Sequence, residues 1–214
     1  MRRRWYRARA LGGVLGPVAF TAAWVVSTAR QDGYSIRDEH ISGLAAPDAR
    51  DPALMMAGFF ALGAGTIAAG SALEDALGGW RRAGWGPRLI QASGMAALLA
   101  GALRRDRMLL KPPEGTEHSQ SWKNDGHDLA AGVVYVCLVA APIALAVRWR
   151  DDPLWQHLVT PALVGSAVTL GSLVLFASQV IEPWNGIVQR AMVTLPAAGL
   201  ASLSIELLRR QAVG

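Results

Sequence analysis

The sequence predicts an all-α polytopic membrane protein, with six transmembrane helices in one bundle and a single domain over residues 1–214. Three observations carry this. Hydrophobic residues fill 52% of the 214 positions and charged residues 17%, against about 25% charged in an ordinary soluble domain. The apolar excess falls into six nearly charge-free blocks of about 17–24 residues, the length a helix needs to cross roughly 30 Å of hydrocarbon. The blocks do not alternate in polarity and are about twice as long as barrel strands. A soluble enzyme, a DNA-binding domain and a disordered tail are excluded.

Span one covers about 10–29 and follows Arg2, Arg3, Arg4, Arg7 and Arg9. Its apolar stretch is longer than the roughly 7–15 residues of a signal-peptide core, so it reads as a retained helix. Span two covers about 52–73 and places Ala61 and Gly65 on one face. Span three, about 85–103, lines up Ser93, Ala97 and Gly101. Span four, about 127–147, holds Cys137, the single cysteine, so no intrachain disulfide can form. Span five covers about 155–180, with Gly165 and Thr169 four apart, and span six about 184–208. Small residues at this spacing let backbones approach, which drives helix association in lipid and admits a homo-oligomer.

The net charge of +5 comes from bases that flank apolar blocks, not from a phosphate-binding stripe, so no nucleic-acid partner is expected. Arg81, Arg82, Arg88, Arg148, Arg150, Arg209 and Arg210 fall on the side of the N-terminal arginines if six spans alternate. Positive charge in short flanks stays in the cytoplasm, so both termini are expected there, in a bacterial cytoplasmic (inner) membrane. Trp5, Trp80, Trp85, Trp149 and Trp155 would then lie at the inner interface and Trp184 at the outer one. Lys111 and Tyr34 would be outside.

Polar residues gather on the outer side. Arg190 lies about 9 Å below Trp184 along span six. A charge at that depth faces the bundle and finds a partner. Asn185 and Gln189 share a neighbouring face. Asp106 ends span three, and His127 and Asp128 open span four. These positions predict an Asp–His–Arg network with Asp106 as the carboxylate partner of Arg190. Asp125 and Asp128 also suit the positive end of their helix. Glu182 is set aside because Pro183 turns the chain away. His40, His118 and His127 lack HxxxH or HxH spacing, so no metal is expected, and no cofactor either. Ser35 and Ser42 lack a GxSxG elbow, and Walker, GxGxxG and paired CxxC patterns are absent.

These residues give the chain a resemblance to the domain-of-unknown-function family 998, six-span bacterial and archaeal membrane proteins similar in appearance to Frag1/DRAM-like proteins. Tyr34-Ser35-Ile36-Arg37-Asp38 followed by Ile41-Ser42-Gly43-Leu44 resembles the family's first-loop stretch. Met55-Met56-Ala57-Gly58-Phe59-Phe60 follows. Asp106, Gly126-His127-Asp128-Leu129-Ala130 and Gly186-Ile187-Val188-Gln189-Arg190 resemble its later motifs. The resemblance covers about 10–208. It departs at Leu103-Arg104-Arg105, where the family has an aromatic-Pro pair before the aspartate.

The sequence-based expectation is a non-catalytic protein with an outward-facing polar site that binds, or helps to move, a lipid headgroup or small amphiphile. Arg190 would hold the anion, since a guanidinium forks onto phosphate or carboxylate. Asp106, His127, Asp128, Asn185 and Gln189 would orient it, with Tyr34 over the mouth. One alternative is an intramembrane hydrolase with His127 as general base and Asp106 orienting it. Another is a structural or regulatory partner of a second membrane protein. Membrane lipid is the expected partner in each case.

Overall fold

The computed structural model describes residues 2–110, 120–178 and 180–213. It is all-helical among these residues: α1 (Arg2–Arg30), α2 (Pro52–Ala76), α3 (Trp85–Ala102), α4 (Trp122–Trp149), α5 (Val159–Ser178) and α6 (Asn185–Val213). Short 3-10 turns lie at Ile41–Ala45, Gln156–Leu158 and Glu182–Trp184. The reversal between α2 and α3 uses Gly78 and Gly79 at φ 91° and 82°, a region that side chains disfavour.

Five of the six helices, α1, α2, α4, α5 and α6, are long and apolar enough to cross a membrane. The chain is therefore a multi-pass membrane protein by composition. The α3 helix does not meet that standard: it has 18 residues and carries Arg88 and Gln91 in its first two turns. Several helices overrun the expected spans. The α1 helix starts at Arg2, because arginine is a good helix former and need not stop at the hydrocarbon edge. The α4 helix starts at Trp122, where Ser121 caps it by accepting from the Asn124 N–H. The α5 helix starts late, at Val159, behind its 3-10 turn.

Each helix packs on its neighbours in sequence, and α6 returns against α1, closing a ring. One end of the bundle, the terminal face, gathers Ala10, Leu73, Leu77, Ala83, Trp149, Trp155 and Leu207. The opposite end, the loop face, gathers Phe20, Ala23, Ile41, Leu44 and Met55.

The two halves of the ring pack differently. In α1–α3 glycine allows contact: a Cβ on Gly16 would meet the Ala61 carbonyl at 2.6 Å, and one on Gly63 the Gly94 carbonyl at 2.7 Å. Gly65 and Gly101 are equally close to their neighbours, as the small-residue pattern predicts. Farther along α4–α6, away from their first turns, the reverse holds, since Cβ atoms on Gly132, Gly165, Gly171 and Gly199 would meet nothing within 4 Å. The expected close approach at Gly165 is therefore not made. An interhelical cavity of about 800 Å³ lies there, with Gly165 and Gly199 in its wall. The α5 helix is the loosest member, with only Ser166 and Thr169 buried.

Candidate functional site

The loop face is built on a clasp between the first loop and α6. Gly186 donates its N–H to the Arg37 carbonyl at 2.8 Å. A Cβ on Gly186 would run into the carbonyl oxygens of Ile36, Arg37 and Glu39, so only glycine lets the loop lie this close. One turn on, Gln189 Oε1 accepts from the Ile41 N–H at 2.7 Å. Arg190 Nη1 donates to the carbonyls of Ile36 at 3.0 Å, Glu39 at 2.9 Å and Gly186 at 2.9 Å. Its Nη2 donates to the Tyr34 hydroxyl at 2.7 Å, and Tyr34 in turn donates to the His40 carbonyl at 2.9 Å. The Arg190 carbon Cζ also lies 5.5 Å from the Trp24 ring centroid and 5.6 Å from that of Tyr34. Burial pushes the Tyr34 phenol up to about 12 against the opposing pull of Arg190, so the hydroxyl keeps its proton.

This geometry corrects one expectation. The partners of Arg190 are loop carbonyls and a phenol, not Asp106. A carbonyl carries enough negative potential to seat a guanidinium, and two of them, Ile36 and Glu39, converge because the loop wraps the first turn of α6. Asp106 instead accepts from the Ser121 N–H at 2.7 Å and the Ser121 hydroxyl at 2.5 Å. Its own N–H donates to Asn124 at 3.3 Å. It thus ties the end of the α3–α4 connection to the start of α4.

His127 is buried, and its Nδ1 lies 2.8 Å from the Ala100 carbonyl. A carbonyl only accepts, so Nδ1 carries the hydrogen. The ring stands edge-on to Phe59, with centroids 6.1 Å apart. Among the described residues no hydrogen bond joins His127 to Asp106 or to Arg190. Asp128 is exposed, accepts from Asn124 Nδ2 at 3.1 Å and sits 3.9 Å from Arg105. Because α4 begins at Trp122, Asp128 is in the second turn, and Ser121 with Asp125 serves the helix end instead.

Two residues outside the expected set join the clasp to this second network. Arg105 Nη1 approaches His40 Nδ1 at 3.3 Å. Arginine only donates, so His40 holds its hydrogen on Nε2, beside the Phe176 ring at 4.9 Å. Burial, then the charges of Arg105 and Arg190, lower the His40 imidazole to about 4. Glu39 accepts from the Leu110 N–H at 2.8 Å, and burial raises its carboxyl above the usual range. The Ser35 hydroxyl donates to Asp38 at 2.7 Å, which makes it a turn residue.

Among the described residues, buried polar atoms without a hydrogen-bond partner include Trp24 Nε1 and Ser27 Oγ on α1 and Asn185 Oδ1 and Arg190 Nε on α6. Among the described residues no three His, Cys, Asp or Glu side chains converge as metal ligands. His118, Lys111 and Glu117 lie outside the described residues, as does the Glu182 side chain.

The clasp joins two of the sequence stretches on which the family resemblance rests, Tyr34–Leu44 and Gly186–Arg190. Among curated proteins and solved structures none matches the chain significantly. A family profile described as protein of unknown function (DUF998) matches residues 14–206. With nine-tenths of its length inside that match and both motif stretches meeting in one structural unit, the chain belongs to the DUF998 family.

Proposed function

We propose that the protein binds a membrane amphiphile without transforming it, and that the amphiphile's tail lies in the interhelical cavity. The carrying observation is that cavity, about 800 Å³ among α2, α3, α4, α5 and α6, walled by residues such as Leu62, Leu138, Leu145, Val193 and Leu200. Ligand sites fall in the range of roughly 300–1,000 Å³. An apolar void does not attract water, and an empty one forfeits the dispersion contacts of its wall. In a bilayer the filling at hand is hydrocarbon. The α3 helix is included among the spans on this reading, since its 18 residues reach about 27 Å. Both termini are taken as cytoplasmic, on the arginine distribution.

A cavity-filling substitution tests this. Gly165→Leu and Gly199→Leu meet no neighbour within 4 Å, so the fold should tolerate both. Native mass spectrometry of gently purified protein should show a bound lipid in the wild type and its loss in the double variant. Protein that is lipid-free in both, with unchanged melting, would refute the reading.

A second reading, the outward headgroup site at Arg190, is favoured by the unpartnered atoms Arg190 Nε, Trp24 Nε1 and Asn185 Oδ1. It predicts that Asn185→Leu weakens binding of a phosphate- or carboxylate-headed lipid while leaving melting unchanged. The hydrolase reading has no comparable support, because Asp106, which would orient His127, accepts from Ser121 instead.

A further inference from the structure

The cavity wall is not uniform in polarity, and its gradient runs the opposite way from the loop-face cluster. Near the loop face it is formed by Val134, Val168 and Val193, and neither Gln189 nor Arg190 reaches it. Its imidazole and its carboxylate, His157 and Glu206, both lie at the terminal face, on the turn before α5 and near the end of α6. We infer, building on the cavity reading above, that the amphiphile carries an uncharged, hydroxyl-bearing head, and that this head docks at Glu206 on the terminal face.

The head chemistry follows from how Glu206 is held. One carboxylate oxygen, Oε1, accepts from Arg210 Nε at 2.9 Å, and both side chains are about one-quarter exposed. Arg210 also donates to the Leu154 carbonyl and lies 4.1 Å over the Trp155 ring. The carboxylate charge is thus compensated by a guanidinium that the Leu154 carbonyl and the Trp155 ring hold in place. Among the described residues the second oxygen, Oε2, has no hydrogen-bond partner, and it is not a buried atom. It asks for a donor. A hydroxyl supplies one. A carboxylate or phosphate head would set like charge beside Glu206, and a quaternary ammonium has no N–H to give.

The tail follows from length and width. From Trp149 to Val134 the wall of α4 runs about 22 Å, beyond the roughly 15 Å of one leaflet's hydrocarbon. Spread over that length, 800 Å³ makes a cavity longer than it is wide, and an extended acyl chain fits that shape. The way in is lateral, past α5, whose Ser166 Oγ donates to the Val139 carbonyl of α4 at 2.8 Å.

Three probes with the same tail separate head from tail: monooleoylglycerol, methyl oleate and oleate, each titrated into the delipidated full chain and read by native mass spectrometry. Monooleoylglycerol should bind at least tenfold more tightly than the other two, a comparison that needs no variant. Glu206→Gln keeps an acceptor and should keep the preference. Glu206→Leu should bring monooleoylglycerol down to the level of methyl oleate and leave methyl oleate unchanged. Oleate binding best, or a preference that survives Glu206→Leu, would overturn the head assignment with the cavity reading intact. Folded wild type that binds none of the three would overturn the cavity reading itself.

Discussion

Replacing Arg190 by leucine removes hydrogen bonds to the Ile36 and Glu39 carbonyls and to the Tyr34 hydroxyl, all from a residue 7% exposed. Hydrogen bonds to a charged group contribute about 1.5–3 kcal/mol each, so the three together amount to roughly 4.5–9 kcal/mol before the cost of burying the guanidinium is subtracted. That cost is several kcal/mol, which leaves a net loss of about 3–5 kcal/mol. In a chain of 214 residues this lowers the melting temperature by roughly 10 °C. Thermal unfolding in detergent measures the shift, and amide exchange should show the loss of protection centred on residues 34–41. The double variant with Asp106→Asn provides the sharper check. The two side chains share no partner, so their effects should add within about 0.5 kcal/mol. Coupling above about 1 kcal/mol, or an Arg190→Leu loss below about 1 kcal/mol, would refute the clasp as the role of Arg190.

Gly186→Val should destabilise by at least about 2 kcal/mol through overpacking against the three loop carbonyls and deprotect the same loop as Arg190→Leu, read by amide exchange. Tyr34→Phe should cost about 1–2 kcal/mol in thermal unfolding and couple non-additively to Arg190→Leu, since the two share a hydrogen bond. His40 is lowered in the folded protein to about 4 from 6.5, so the unfolded chain takes up its proton first on acidification. Its contribution is complete above about pH 6.5 and lost as pH falls toward 4, so His40→Gln should flatten the melting-temperature profile across that window. Cysteines placed at Arg37 and Arg82 in a Cys137→Ser background should label from opposite sides of the membrane, and labelling from the same side would refute the proposed topology.

Helix placement was legible because burial in hydrocarbon leaves a long, charge-free signature that no other structure needs. Helix ends were less so. Arg2–Arg9 and Trp122–Gly126 are helical beyond the apolar blocks, and hydropathy is silent about helix in water. The sequence also singled out Arg190, Gln189 and Tyr34, because depth makes a charge expensive. It misassigned the partner of Arg190, because backbone carbonyls carry no letter code. A search for a counter-charge sees Asp106 and cannot see Ile36 and Glu39 offering oxygen. Gly186 was noted only as part of a motif, although it is the residue that admits those carbonyls. Arg105 and His40 were missed as a pair, since 65 positions separate them and only the folded loops bring them together. The cavity was illegible for a related reason. Gly165 looks in sequence like a packing glycine, and whether a neighbour fills the space it leaves is decided by another helix.

The clasp also has an order in time. Arg190 is 154 positions after Ile36 and 151 after Glu39. At about 5–20 residues per second, a ribosome needs roughly 8–30 s to make that stretch. Throughout that interval the first loop exists without the side chain that binds it, and its converging carbonyls have only water to turn to. A chain stopped anywhere before α6 never closes the loop, however well its first three helices have packed. Closure of the first loop therefore reports that α6 has been made. A protease cutting near Tyr34 would distinguish chains that have α6 from chains that stop before it.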